Sequence, residues 1–452
     1  LKDHKKTILF VIYSHNVWGG IESWLAKLVD SFRDTNWRVV VAIAQGKEFN
    51  KPHLVADRFP NADVYVMDGR VGTEYARVSA VRTAIQKCRA DIVVPLGIAD
   101  CFAAVRAERI TGGTVKLVSP VHATNPELLH DISSNEDIVD ACVVVNPLQA
   151  SFLSEHLGFD TSKLFSILNG VTSPSLPHPH RSESNQLRAV FVGRLDEGHK
   201  RVLDLVSVIN EANRRKLNIS LTVVGSGPAE QQLRANATGG NESCHVDFLG
   251  YKDPDFIQNH VYPNHQVILL FSPSEGCPLV IQEAMSHGLV PVCSTFLGVH
   301  SLGFLRHQAT AMLFNIGDTK AAVDHLAYLL SNHAEFLRIS SSALSAASEF
   351  TYSNCHKRWH GVFERIVNEP RSVSRIAPVV HKPQGLLDQI LSPVTANFLR
   401  NVLRRWPKFS DGWAEWPGTV SLLSVQARLT YLEALRMIDL RAEDSEQTNN
   451  RV

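Results

Sequence analysis

Residues 272–294 read SPSEGCPLVIQEAMSHGLVPVCS, and this stretch decides the fold. An apolar run at 267–271 leads into Ser-Pro-Ser, and a second apolar run at 289–292 follows Gly288. Between them come Glu275, Gly276 and a segment whose Pro278 suits a first helical turn, where its missing N–H leaves no bond unmade. Glu283 falls inside that helix, eight positions after Glu275. Strand, acidic glycine loop, helix, strand is how an α/β protein presents two carboxylates at the carboxyl edge of a parallel sheet. A helix glutamate turned inward is costly alone, so Glu283 requires a partner.

Working outward, short apolar runs alternate with helical periodicity from Thr7 onward, which predicts parallel sheets wrapped by helices. Strands are expected at 8–13, 39–44, 64–67, 92–96, 116–121 and 142–145. The segment GIESWLAKLVDSF places Ile21, Trp24, Leu25, Leu28, Val29 and Phe32 on one helical face. Further helices are expected at 74–89, 100–110 and 147–156. Residues 169–185, rich in Pro, Ser and His, read as a linker. A second alternation follows, with strands at 187–192, 220–224, 246–249, 267–271 and 290–293. Its helices are expected at 200–215, 229–237, 320–331, 333–349 and 353–368. The fold class is therefore α/β, with two doubly wound Rossmann-like domains and a ligand cleft between their strand ends. The domain expectation is 1–172, a linker at 173–186, a second domain at 187–369, and a mostly helical extension at 370–452 with a polar, disordered end.

Composition narrows the function classes. The 452 residues are 44% apolar and 20% charged, as in a folded globular protein, and are long enough for two or three domains. Lys plus Arg equals Asp plus Glu at 45 each, so nothing global points to nucleic acid. Seven scattered cysteines with no CxxC pair favour reduced thiols over a disulfide framework or a zinc site. No apolar stretch approaches the roughly 18 residues of a membrane span. The opening LKDHKKTILF passes from a basic leader into a strand without a signal-peptide core, which suggests a cytoplasmic chain.

Candidate ligand groups sit where strands give way to helices. Gly19 and Gly20 follow the first strand and would let backbone N–H groups approach a phosphate, with the helix dipole adding positive charge; a plain tight turn is the alternative. In FVGRLDEGHKR the strand ends at Gly193, and Arg194 and Lys200 could hold a diphosphate, one as a fork and the other as a point charge. His199 and Arg201 are weaker candidates, and a solvated basic turn is the simple reading. Gly225 and Gly227, in VVGSGPAE, repeat the strand–glycine–helix design for close approach to a nucleotide or for turn chemistry alone. Tyr251 and Lys252, after Gly250, could grip a base. Asp253-Pro-Asp255 matches a DxD pattern, but Asp255 reads better as a helix N-cap than as a metal ligand. His122, at a strand end, could orient a sugar hydroxyl or serve only the core. Cys277 reads as a small apolar residue, with no His/Asn context for a nucleophile.

The order of these signals resembles the retaining GT-B glycosyltransferases of family 4. The family's glycine loop, NG(V/I)D segment, GRLxxxKG, GxGP turn and E-x7-E motif have counterparts here in Gly19-Gly20-Ile21-Glu22, Asn169-Gly170-Val171-Thr172, Gly193-Arg194-Leu195 with Lys200, Gly225-Ser226-Gly227-Pro228, and Glu275 with Glu283. The resemblance covers roughly residues 7–368. It implies metal-independent transfer of a sugar from a UDP- or GDP-linked donor to a hydroxyl of a glycan or glycolipid, with retention. By this resemblance Arg194 and Lys200 hold the diphosphate, Glu283 the ribose and Glu275 the donor sugar. Backbone groups of Gly276, Cys277, Pro278, Leu279 and Val280 line the phosphates, and His122 lies near the sugar. Thr172 stands where Asp is frequent, Cys277-Pro278 replaces Phe-Gly, and the spacing from Arg194 to Lys200 is one residue longer. The competing readings are a silent nucleotide-sugar-binding scaffold and a GT-B epimerase. In the tail, ANFLRNVLRRWPKF sets Arg400, Arg404, Arg405 and Lys408 beside Phe398, Leu399, Leu403 and Trp406, which suggests either peripheral contact with an anionic membrane or an ordinary packed helix.

Overall fold

The computed structural model describes residues 5–14, 19–172, 185–237, 243–370, 387, 390–403 and 406–449. Most of the linker expected at 173–186, the second linker-like stretch at 371–385, and Arg404 and Arg405 lie outside the described residues. The chain forms two compact units. One comprises Leu1–Val145, Gln149–Ile167 and His356–Leu432; the other comprises Asn146–Leu148, Leu168–Cys355 and Glu433–Val452.

The first unit holds a parallel sheet of β1 (Lys6–Ile12), β2 (Trp37–Gln45), β3 (Asp63–Asp68), β4 (Ile92–Leu96), β5 (Lys116–Val121), β6 (Ala141–Val144) and β7 (Leu164–Ser166), in the order β3-β2-β1-β4-β5-β6-β7. The second holds β8 (Leu187–Val192), β9 (Ile219–Val224), β10 (Cys244–Gly250), β11 (Val267–Leu270), β12 (Val290–Ser294) and β13 (Met312–Phe314), in the order β10-β9-β8-β11-β12-β13. Strand order reverses between β1 and β4 in one sheet and between β8 and β11 in the other. These are the crevices where an open α/β sheet receives ligands. Central strands are buried along nearly their whole length, as expected when helices cover both faces of a parallel sheet.

The amphipathic reading of the first helix holds: in Gly20–Asp30, Trp24, Leu25, Leu28 and Val29 are buried. Trp24 packs on Trp359, and Phe10 on Phe363, both from the helix Tyr352–Asn368. In the second unit Phe191, Leu221, Leu269, Val292, Leu326 and Phe336 belong to one continuous core.

Several expectations need correction. The helix expected at 200–215 is two pieces, Glu197–Lys200 and Asp204–Arg214, because Arg201 takes a left-handed φ of 45° and breaks the ladder. β7 and β13 are too short to show period-2 patterning and escaped the sequence reading. The helix Pro126–Ser134 was also unforeseen, although its start signal is present: Asn125 caps it, accepting the Leu128 N–H at 3.0 Å, and Pro126 follows. The cap at 253–255 is Asp253, whose Oδ1 accepts the Phe256 N–H at 2.8 Å, not Asp255. Asn169–Thr172 is ordered structure of the second unit: the Val171 N–H donates to the Phe350 carbonyl at 2.6 Å.

The tail packs as ordinary structure at several points. Pro393–Leu403 buries Ala396 and Arg400, while Val394, Phe398 and Val402 stay exposed. Gly412–Glu415 inserts fully buried Glu415 beside the end of β2.

Candidate active site

β8 and β11 pair directly, Val267 opposite Ala189 and Ile268 opposite Val190, so the loops that follow them open side by side. After β8 come Gly193, Arg194 and the short helix Glu197–Lys200, capped by Asp196, which accepts the His199 N–H at 2.7 Å. After β11 comes the acidic loop. Lys200 Nζ meets Glu275 Oε1 at 2.5 Å, and the two side chains are 22% and 16% exposed, wet enough to admit a ligand and dry enough for charge to count. Arg194 is placed differently. Its Nε donates to Asp196 Oδ2 at 2.5 Å, its guanidinium touches His199, and its side chain is 56% exposed.

The acidic loop is pinned by its carbonyls. Asn146 Nδ2 donates to Gly276 O at 2.8 Å and to Gly298 O at 3.1 Å; Asn169 Nδ2 donates to Cys277 O at 3.3 Å. Gln282, fully buried on the following helix, donates in turn to Asn169 O. That helix, Leu279–Ser286, begins after an extended Pro278 and has no side-chain cap. The Ile281 and Gln282 N–H groups bond the Pro278 carbonyl, and the Leu279 and Val280 N–H groups ahead of them stand at the positive end of the helix dipole. The peptides of Leu279 and Val280 are therefore suited to an anion, beside the Lys200–Glu275 pair. Cys277 is buried, which pushes its thiol up to about 12 and removes it as a nucleophile at neutral pH.

Glu283 has the partner that its position demands: the buried Tyr262 hydroxyl donates to Oε2 at 3.0 Å. Burial pushes the Glu283 pKa up to about 7, against the opposing pull of hydrogen bonds from Tyr262 and Gln258. A raised carboxyl pKa means that the folded chain holds a proton which the unfolded chain releases. Its stability contribution is complete below about 4.5 and lost as pH rises through about 7, a change on the order of 3 kcal/mol. A ligand whose two hydroxyls donate to the ionised form must displace that proton. With uridine diphosphate as the probe, affinity for a ligand of this kind is thus expected to rise between pH 6 and 7.5 and level off above. Calorimetry in buffers of different ionisation enthalpy should show up to one proton released on binding below pH 7, and none in Glu283→Gln.

The glycines at 225 and 227 serve the chain itself. A Cβ at Gly225, where φ is +140°, would lie 1.9 Å from the Gly193 carbonyl, and one at Gly227 would lie 2.4 Å from the Leu195 carbonyl. The loops after β8 and β9 are thus in backbone contact, joined by Leu195 N–H to Ser226 O and Ala229 N–H to Leu195 O. Gly225→Ala is expected to destabilise the chain by on the order of 3 kcal/mol in denaturant unfolding, from clash plus backbone strain. Gly361→Ala, in a helix with open space around it, should cost nothing.

The remaining sequence candidates lie farther out. Tyr251 is half exposed at the end of β10, two strands from β8, and Lys252 sits 5.0 Å over the Phe256 ring. Gly19, Gly20 and His122 belong to the first unit. The Gly19 N–H donates to Glu22 Oε2 at 3.0 Å, closing the first helical turn. His122 follows β5 and stands edge-on to Trp24; its Nε2 is sealed from solvent without a hydrogen-bond partner, and burial lowers its pKa to about 4. It is neutral at physiological pH. Among the described residues no His, Cys, Asp and Glu cluster could hold a metal ion. Sequence reading missed Tyr262 and Asn146, which stand in no motif and acquire their roles only by burial, one against the helix Leu279–Ser286 and the other against the acidic loop.

Residues 186–332 match the family model described as glycosyl transferases group 1. An uncharacterized glycosyltransferase of Haemophilus influenzae is 26% identical over 208 residues, 45% of this chain and 56% of that protein. The phosphatidyl-myo-inositol mannosyltransferase of Mycobacterium leprae is 27% identical over 237 residues, 51% of this chain and 60% of that protein. The chain thus spans somewhat over half the length of these two relatives. Among solved structures, Anabaena HepE in complex with UDP superposes with a TM-score of 0.62 at 16% identity, covering 79% of this chain and 100% of HepE. The pneumococcal O-GlcNAc transferase GtfA, with UDP and GlcNAc, gives 0.63 at 15% identity over 81% of this chain and 100% of that one. Two Rossmann-like parallel sheets with these neighbours define a GT-B fold. Over residues 186–332 the chain is similar to the glycosyl transferases group 1 family.

Proposed function

We propose that this protein is a retaining, metal-independent glycosyltransferase that moves a hexosyl group from a UDP- or GDP-linked donor to a hydroxyl of a glycan or glycolipid. The observation that carries this reading is the Lys200–Glu275 pair at the β8/β11 crevice, beside an uncapped helix N-terminus. The donor diphosphate takes Lys200, the Leu279 and Val280 N–H groups and the exposed guanidinium of Arg194, which together offset the charge that grows on the leaving group. Glu275, released from Lys200, turns to the donor sugar, and Glu283 receives the ribose hydroxyls. The acceptor oxygen forms its bond to the anomeric carbon from the face the diphosphate leaves; the old carbon–oxygen bond breaks, and the acceptor proton passes to the departing phosphate oxygen.

Three similar proteins support the donor and acceptor classes. HepE and GtfA were solved with UDP, and the mycobacterial relative is a mannosyltransferase acting on phosphatidyl-myo-inositol. A lipid-linked acceptor is compatible with the exposed Val394, Phe398 and Val402 stripe of the tail helix. The test is release of UDP or GDP from a panel of sugar nucleotides in the presence of a chelator. Release from one donor supports the proposal. No release from any donor, with thermal stabilisation by UDP or GDP retained, leaves the silent nucleotide-sugar-binding scaffold as the better reading.

A further inference from the structure

The stretch after Pro370 has no counterpart in the family motifs, yet its last helix reaches the neighbourhood of the acidic loop within the second unit. On the helix Val425–Asn449, Leu435, Ile438 and Asp439 share a buried face. Asp439 is 5% exposed, and its carboxylate takes three hydrogen bonds from one turn: Gly298 N–H at 2.9 Å, Ser301 N–H at 2.8 Å and Ser301 Oγ–H at 2.7 Å. Four residues on, Glu443 faces His300 of the same turn at 3.6 Å.

That turn follows β12 and is fastened to the acidic loop. Ser274 and Leu297 are bridged, with the Leu297 N–H on Pro273 O at 3.0 Å. Asn146 binds the Gly276 and Gly298 carbonyls with one amide group. Gly298 sits at φ +101°, where a Cβ would fall 2.5 Å from Asn146 Nδ2 and 3.5 Å from the Glu275 carbonyl. A buried carboxylate holding the N–H of a residue in this conformation sets where its carbonyl points, and with it the Asn146 clamp on the loop that carries Glu275.

We propose that Asp439 is a positioning residue of the donor site: the C-terminal helix fixes the turn Gly298–Ser301, and the turn fixes the acidic loop. The link to catalysis rests on the glycosyltransferase reading, while the mechanical link between turn and loop does not. A misplacement of about 1 Å at a reacting group can reduce the rate on the order of 100-fold, so the effect of a loosened loop falls on kcat.

The experiment compares the full chain with Asp439→Ala, Asp439→Asn and the control Glu443→Gln. Hydrogen exchange is followed at residues 297–301 and 273–277, and UDP or GDP release from the preferred donor is followed in parallel. Asp439→Ala is expected to speed exchange in both segments and to lower kcat at least tenfold with donor KM within about threefold. Asp439→Asn, which keeps one acceptor oxygen, should recover part of both, and Glu443→Gln should match the wild type. Faster exchange confined to 297–301, or an unchanged kcat in Asp439→Ala, overturns the proposal. Absence of donor turnover in the wild type overturns the glycosyltransferase reading instead, and the exchange at 273–277 still decides whether Asp439 holds the loop.

Discussion

Lys200→Ala is expected to lower kcat for donor turnover about 100- to 1000-fold, the usual loss when one preorganised group facing a developing anion is removed. In the resting protein Lys200 is held at 2.5 Å by Glu275, so the cation already stands at the β8/β11 crevice and exchanges this one partner for the diphosphate in place. Arg194, 56% exposed and folded onto Asp196, must first leave its partner. Arg194→Ala should therefore act more on KM than on kcat and cost less. Lys200→Arg should recover only part of the activity, because a planar fork does not fit where a point charge contacts one carboxylate oxygen. Steady-state kinetics with the preferred donor, alongside thermal unfolding to show that the variants fold, check the order Lys200→Ala, Lys200→Arg, Arg194→Ala from worst to mildest. An Arg194→Ala loss in kcat equal to that of Lys200→Ala would show that the two cations act as one unit.

Glu415→Ala is expected to destabilise the first unit by about 3 kcal/mol or more, since several buried donors lose their acceptor at roughly 1–3 kcal/mol each. The Glu415 carboxylate is fully buried and accepts the N–H groups of Glu48 at 2.8 Å, Phe49 at 3.1 Å and Asn50 at 2.8 Å, with the Asn50 side chain adding a fourth bond. Gly46 must be glycine there, because a Cβ would overlap the carboxylate at 1.7 Å. The neighbouring Trp416 fills the space over Gly69, and Trp413 packs on Tyr13 at the end of β1. Burial by itself would raise the Glu415 pKa, but the backbone donors outweigh it and hold the carboxyl below its usual 4.5. A depressed carboxyl contributes stability that is present above the unfolded value and lost as pH falls through the folded one. Denaturant unfolding at pH 7 and pH 4 should show Glu415→Ala losing more relative to wild type at pH 7 than in acid, with Glu415→Gln intermediate at pH 7. Equal loss at both pH values would mean that packing of the tail, not the carboxylate, holds it.

Much of the site was legible because its signals are local. A strand ending in glycine before Arg194, a glycine turn at 225–227 and an acid before a proline-started helix are each written within ten residues. Tyr262 was not legible: it lies 21 positions before Glu283 in a stretch without periodicity, and only burial makes its hydroxyl the glutamate's donor. The glycines at 225 and 227 were legible as glycines, but not for their reason. Sequence pattern cannot separate room for a ligand from room for the Gly193 and Leu195 carbonyls. The tail was the least legible segment, because Glu415 and Asp439 each accept backbone N–H groups, and a backbone donor leaves no mark in the residue type.

The sequence by itself determined two runs of alternating strands and helices and the carboxyl ends at which the charged residues would stand. Period and turn chemistry are properties of neighbouring residues, so they can be read along the chain. Only the tertiary structure decided that β8 and β11 are neighbours, bringing Lys200 to Glu275 across 75 positions. Strand adjacency in a parallel sheet is settled by how the crossover helices pack, not by the strands' own residues. It also decided that Glu283 titrates near neutrality and that the last helix grips the turn beside the acidic loop. Both follow from burial, which no single stretch of sequence contains.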